Sequence, residues 1–278
     1  MIASISDITV VIPCYNDRNF IKSAVDSLLH QTLIPDEIII VDDGYDQATL
    51  EILSQFNNPR VNVVYQENQG VSVARNNGII QSQFQYICVL DADDYLETTF
   101  LEKAKQLLES NRDAIYVSSY YRKFNNKNKT IGVIRPTGGL VAGFLVKNNG
   151  ASCGLFKKSD WHTVGGYDKL FKNGYEDWDF SISLLKSGKR MYIIPEILFN
   201  YRVKKRSRDQ NALDFYDRQL RMQLLEKHKD LFQKHYYSVI SQYVYSNSIL
   251  RKELRKFEVK RYIGIRWLFK RLNRWFRK

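Results

Sequence analysis

Residues 86–94 read Tyr86-Ile87-Cys88-Val89-Leu90-Asp91-Ala92-Asp93-Asp94. A short apolar run that stops abruptly on carboxylates has the form of a strand buried on both faces, ending where the chain meets solvent. Three similar runs precede it, at Ile8–Cys14, Glu37–Asp43 and Val61–Glu67, all rich in Val and Ile. Between them lie helical patterns. Asn19–Gln31 places Phe20, Ile21, Ala24, Val25, Leu28 and Leu29 on one face, and Asp46–Phe56, Gly70–Ile80 and Thr98–Ser110 supply three more. The alternation βαβαβαβα implies a Rossmann-like, mostly parallel α/β sheet with right-handed crossovers.

Such sheets bind ligands at the carboxyl ends of their strands. All four ends are polar here: Pro13-Cys14-Tyr15-Asn16, Asp42-Asp43-Gly44, Glu67-Asn68-Gln69-Gly70 and Asp91-Ala92-Asp93-Asp94. Asp91 and Asp93, two residues apart at a strand mouth, can offer hard oxygen ligands to Mg²⁺ or Mn²⁺. An ion there would neutralise charge on a departing nucleoside diphosphate. Further on, Ala114–Tyr121 reads as a strand, Asn125–Thr130 as a hairpin turn, Asp177–Ser187 as a helix closed by Gly188, and Met191–Val203 as a strand region broken at Pro195. Helices follow from Asp209. The expected divisions are 1–208, a catalytic domain; 209–250, a helical extension; and 251–278, a basic amphipathic tail.

The ordered set Val10-Val11-Ile12-Pro13-Cys14-Tyr15-Asn16, Ile40-Val41-Asp42-Asp43-Gly44, Asn68-Gln69-Gly70, Ala74-Arg75-Asn76-Asn77-Gly78 and Leu90-Asp91-Ala92-Asp93-Asp94 resembles the motifs of glycosyltransferase family 2, which has the GT-A fold. Gly165-Gly166-Tyr167-Asp168 and Glu176-Asp177-Trp178-Asp179 resemble its acceptor-side motifs, and the likeness spans roughly residues 7–207. It implies an inverting enzyme that uses a nucleotide sugar, with a lean towards UDP, and Mn²⁺ or Mg²⁺. By this resemblance Pro13, Tyr15, Asp42 and Asp43 line the nucleoside pocket, with Asp43 facing the base, and Asn68 and Arg75 complete that wall. Asp91 holds the ribose, Asp93 ligates the metal and Asp177 is the general base. Tyr45 stands where the family usually has Ser.

A sugar hydroxyl is a poor nucleophile, so a carboxylate must take its proton as the new bond forms, an assistance worth about 10²–10⁴ in rate. The start of a helix favours an ionised Asp177; Glu176 and Asp179 are next in line, and Trp178 could stack on a sugar face. Trp161 and His162 precede Gly165 near the expected acceptor. Tyr201–Ser207 resembles the family's diphosphate-binding loop, with Lys204 where His is common. That makes metal ligation from this loop doubtful, but Lys204 and Arg206 could still pair with phosphate. No Gln-x-x-Arg-Trp-type motif follows Asp177, so transfer of a single sugar is expected rather than polymerisation.

The net charge of +12 is concentrated: residues 251–278 hold twelve Lys or Arg against Glu253 and Glu258, +10 of the total. From Tyr262, the residues Ile265, Leu268, Phe269, Leu272, Trp275 and Phe276 recur at helical spacing among basic ones. This is the pattern of a helix lying in an anionic membrane surface, and it points to a cytoplasmic, peripherally bound enzyme with a glycan or lipid-linked acceptor. Nucleic acid is not an expected partner, since no recognition module accompanies the charge. No run reaches the roughly 18 apolar residues of a membrane span, and no secretory leader pattern opens the chain. Cys14, Cys88 and Cys153 have no metal-ligand spacing, which fits a reducing setting; Cys14 and Cys88 read as packing residues. Two other functions compete: a sugar nucleotidyltransferase-like enzyme, disfavoured by the lack of a Gly-rich phosphate loop after the first strand, and an idle membrane-tethered scaffold, disfavoured by intact Asp91, Asp93 and Asp177.

Overall fold

The computed structural model describes residues 5–44, 46–204, 208–249, 251, 252 and 255. Its first half follows the expected alternation. β1 (Ile8–Cys14), β2 (Glu37–Asp42), β3 (Val61–Tyr65) and β4 (Tyr86–Val89) are parallel; β1 and β2 are buried along their whole length, pairing from Thr9 with Glu37 to Cys14 with Asp42. α1 (Ile21–Leu29) buries Ile21, Ala24, Val25 and Leu28, the stripe that its spacing predicts. α2 (Gln47–Leu53) is capped by Asp46, whose carboxylate accepts from the Thr49 amide at 3.2 Å and the Thr49 hydroxyl at 2.8 Å. α3 (Val71–Gln81) packs closely on β1, because a Cβ at Gly78 would lie 2.4 Å from Val11 Cγ1. β5 (Tyr95–Leu96) and α4 (Phe100–Ser110) complete this half.

The second half extends the same sheet. β6 (Ala114–Phe124), β7 (Thr130–Ile134), α5 (Val141–Phe144), β8 (Gly154–Lys157), α6 (Lys158–Val164), α7 (Glu176–Leu185) and β9 (Arg190–Arg202) give the order β3-β2-β1-β4-β8-β6-β9-β5, with β7 paired to β6. β8 runs antiparallel between β4 and β6. Its four residues are too few to show a period, so the sequence did not announce it. Gly154 makes it possible, since a Cβ there would press within 2.2 Å of the Tyr116 ring. β9 departs from expectation: Pro195 does not break it. Ile194 pairs with Ser119 and Ile197 with Tyr120, so Pro195 and Glu196 leave the ladder as a bulge where no backbone donor is needed.

α8 (Arg208–Asn211), a π-turn (Ala212–Tyr216) and α9 (Asp217–Lys227) close this unit. Compactness divides the chain into two units, Met1–Lys229 and Asp230–Lys278. α9 belongs to the first unit for a visible reason: Leu220 and Leu224 are buried, and Lys227 Nζ lies 2.7 Å from both Asp168 Oδ2 and Asp179 Oδ2. α10 (Lys229–Lys234) crosses the division, and residues 236–249 are helical. No helix among the described residues is long and apolar enough to cross a membrane. Apart from residues 251, 252 and 255, the basic tail lies outside the described residues.

Candidate active site

The carboxyl ends of β1, β2 and β4, the loop before α3 and the start of α7 open on one cleft of about 500 Å³. Pro13, Tyr15, Asp43, Asn68, Arg75, Asp91, Asp93, Glu176, Asp177 and Lys204 all line it. Most of the expected residues therefore converge, whereas Asp42 and Trp178 do not line the cleft.

Asp43 is a clamp on the loop after β3. Its Oδ1 accepts from Gln66 Nε2 at 2.7 Å and the Gln69 amide at 2.8 Å, and its Oδ2 from the Gly70 amide at 2.9 Å. Asn77 extends the chain by donating to Gln66 Oε1 at 2.6 Å. A carboxylate offers about four acceptor sites, of which these three bonds use most, while Asp43 still lines the cleft. Asp42 does not line the cleft and is 1% exposed. Burial pushes its pKa up to about 6, with Asp43 and Asp46 adding to the rise against the Gly44 amide. A carboxyl group raised in the fold stabilises most below its unfolded pKa of about 3.9 and loses that contribution as pH rises to about 6. Asp42→Asn is thus expected to raise the urea midpoint at neutral pH and flatten its fall between about pH 4 and about pH 6. An unchanged pH slope would show that the fold does not hold Asp42 neutral.

Arg75 is buried, at 1% exposure, and reaches the cleft lining at the centre of an ion network. One guanidinium nitrogen donates to Asp91 Oδ1 at 2.7 Å and another to Glu176 Oε1 at 2.9 Å, while the guanidinium carbon sits 5.2 Å from the Tyr167 ring centre. Arg208 also donates to Glu176 Oε1. Burial alone would raise the pKa of Asp91 and of Glu176. Arg75 outweighs it at Asp91, and Arg208 with Arg75 outweighs it at Glu176, so both carboxylates lie below their ordinary values. Glu176, at 2% exposure, lies between two guanidinium groups that both hold its Oε1. Asn76 fastens the glycine turn: it donates to the Tyr167 carbonyl at 2.7 Å and accepts from Trp161 Nε1 at 3.1 Å. Trp161 is therefore a buried anchor, and His162 is exposed outside the cleft lining.

Trp178 likewise corrects the expectation of a ring offered to a sugar. It is 4% exposed, and its Nε1 donates to the Phe144 carbonyl at 2.6 Å. Asp179 is fully buried, bonded to Lys227 and lying 2.8 Å from His228 Nε2. Of the three carboxylates at the start of α7, only Asp177 is both part-exposed and a lining residue of the cleft. Its Oδ2 accepts from Asn148 Nδ2 at 3.1 Å.

Lys204 Nζ lies 2.6 Å from Asp17 Oδ1 and 2.8 Å from Asp93 Oδ2. Burial would lower the pKa of Lys204, but Asp93 and Asp17 raise it, so the ammonium stays charged. Burial, opposed by Lys204 and reinforced by Asp91 and Asp17, holds the pKa of Asp93 above the ordinary value. These residues fit the expected Mg²⁺ or Mn²⁺ poorly. Asp91 is engaged by Arg75 and Asp93 by Lys204. Among the described residues no three His, Cys, Asp or Glu side chains are grouped to hold an ion. Asp17, Asn148 and Arg208 went unread in the sequence. Asp17 follows the first motif directly, and Arg208 belongs to the basic run after β9, but only folding shows what each meets. Tyr45 and Arg206 lie outside the described residues. The three cysteines are free and buried, and burial, with Asp17 adding, pushes the Cys14 thiol up to about 12.

Residues 9–173 match the family model described as Glycosyl transferase family 2. TuaG of Bacillus subtilis, named for teichuronic acid biosynthesis, is 30% identical over 207 residues, covering 73% of this chain and 82% of TuaG. A chondroitin synthase of Pasteurella multocida is also 30% identical over 201 residues, but this chain covers only 19% of that protein. Staphylococcus aureus TarS 1–349 in complex with UDP-GlcNAc superposes with a TM-score of 0.62 at 18% identity, covering 74% of this chain and 61% of that one. That likeness shows the fold, which is GT-A. With its motifs gathered on one cleft, and with the family model and TuaG matching along most of its length, the chain belongs to glycosyltransferase family 2.

Proposed function

We propose that the chain is an inverting glycosyltransferase that moves one sugar from a UDP-linked donor to a hydroxyl of an envelope glycan or lipid-linked acceptor. The observation that carries this reading is the position of Asp177, part-exposed at the start of α7 on the cleft that also holds Asp91 and Asp93. Glu176 and Asp179, on the same helix start, are buried and held by Arg75, Arg208 and Lys227. One carboxylate beside a donor site suits direct displacement: it takes the hydroxyl proton as the acceptor oxygen attacks the anomeric carbon, and the configuration inverts. Support for the donor class comes from TarS, which binds UDP-GlcNAc, and for an envelope acceptor from the name of TuaG. Incubating the chain with a panel of nucleotide sugars and glycan acceptors tests the reading. The expected products are UDP and a glycoside whose anomeric NMR coupling shows inversion. Pyrophosphate in place of UDP would favour the nucleotidyltransferase alternative, and no turnover with any donor the scaffold one.

Membrane attachment, at the cytoplasmic surface, is assigned to residues 251–278 from their charge and spacing. Removing them is expected to release the chain from anionic vesicles while leaving UDP binding intact, because every donor motif lies before residue 208. Vesicle binding by the full chain should weaken with added salt, as charges screen over about 8–10 Å. Full-length protein that ignores anionic vesicles in a sedimentation assay would remove this assignment.

A further inference from the structure

Lys204 stands between Asp17 and Asp93 at the mouth of β4, in the place where the two-carboxylate motif predicts a divalent ion. Three contacts hold it there: the two carboxylates, and the Phe20 ring, whose centre is 5.3 Å from Nζ. Arg202 shares that ring at 4.2 Å and donates from Nε to the Asp93 carbonyl at 2.8 Å. Both side chains line the cleft, so two cations flank the end of the metal motif. An ammonium and a divalent ion cannot hold the same carboxylate oxygens, because they repel and because a hard cation needs its oxygen ligands for itself. The second motif carboxylate, Asp91, is taken by buried Arg75.

We propose that Lys204 takes the role of a divalent cation in this site: its ammonium, set by Asp17 and Asp93, binds the diphosphate of the donor and counters the charge on the departing nucleoside diphosphate, so that donor binding needs no metal. The inference rests on the UDP-donor reading given above. As the glycosidic bond breaks, its electron pair goes to the β-phosphate oxygen, and a fixed cation there stabilises that charge without reorganising. Lys is a compact point charge with three donors, able to bond two carboxylates and still offer a hydrogen to phosphate.

Calorimetry of UDP binding to the full chain, in EDTA and with Mn²⁺, tests this. The wild-type affinity is expected to be the same within about twofold in both buffers. Lys204→Ala should weaken UDP binding in EDTA by about tenfold or more, the worth of one charge-assisted hydrogen bond, and Mn²⁺ should restore part of the loss. Lys204→Arg, which keeps the charge, should retain binding without metal, and Lys204→His should bind UDP in a Mn²⁺-dependent way. Thermal unfolding of each variant separates a lost contact from a lost fold. Wild-type binding that vanishes in EDTA and returns with Mn²⁺ overturns the inference while leaving the donor reading intact. So does unchanged affinity in folded Lys204→Ala. Absence of UDP binding in both buffers overturns the donor reading, and this inference with it.

Discussion

Asp177→Asn is expected to lower turnover about 100-fold or more while leaving UDP affinity near that of the wild type. The amide keeps the shape of the carboxylate and can still meet Asn148, whose Nδ2 lies 3.1 Å from Asp177 Oδ2. What it loses is the capacity to accept the acceptor's proton. Because that proton moves only as the new bond forms, the loss falls on kcat and kcat/KM together and not on donor binding. Single-turnover rates alongside calorimetry separate the two. Turnover within a few-fold of the wild type would show that the base lies elsewhere. Glu176 and Asp179 are both buried and salt-bridged at the same helix start.

Arg75→Met is expected to destabilise the catalytic unit by about 3–5 kcal/mol, because it breaks the buried Arg75–Glu176 pair and also takes the guanidinium from part-exposed Asp91. Arg75 is 1% exposed and Glu176 is 2% exposed, so water cannot take over the missing contact. The pKa directions give the sign of the pH response. Asp91 and Glu176 sit below their ordinary values in the fold, so the stability they contribute is present at neutral pH and disappears as pH falls below about 4. Without Arg75, burial should push both upward, and the variant should be least disadvantaged in acid. Adding Glu176→Gln to Arg75→Met should recover part of the loss. Urea unfolding across pH measures all three proteins; equal stability of Arg75→Met and wild type at pH 7 would refute the ion network.

These expectations depend on features of different legibility. β1 and β2 could be read from composition because both are buried on both faces, which demands unbroken Val, Ile and Leu runs. α1 was equally plain, since one buried stripe imposes a spacing of three and four. β8 was not readable: an antiparallel strand of four residues is chosen by its neighbours β4 and β6, not by any period of its own. Pro195 reads as a break in isolation and becomes a bulge only because β6 continues pairing past it.

The site divides in the same way. The order of the motifs along the chain determined the family, the GT-A fold and the strand ends that would meet, because topology follows from the alternation of elements. Roles within the motifs depended on which groups face one another across long separations. Arg75 and Glu176 are 101 residues apart and Lys204 and Asp17 are 187 apart. A carboxylate in a linear sequence carries no sign of whether an arginine, a lysine or open cleft awaits it. Tertiary structure decides that by setting the surroundings: Glu176 and Asp179 became scaffold, Asp93 met an ammonium, and Asp177 came to line the cleft beside Asn148.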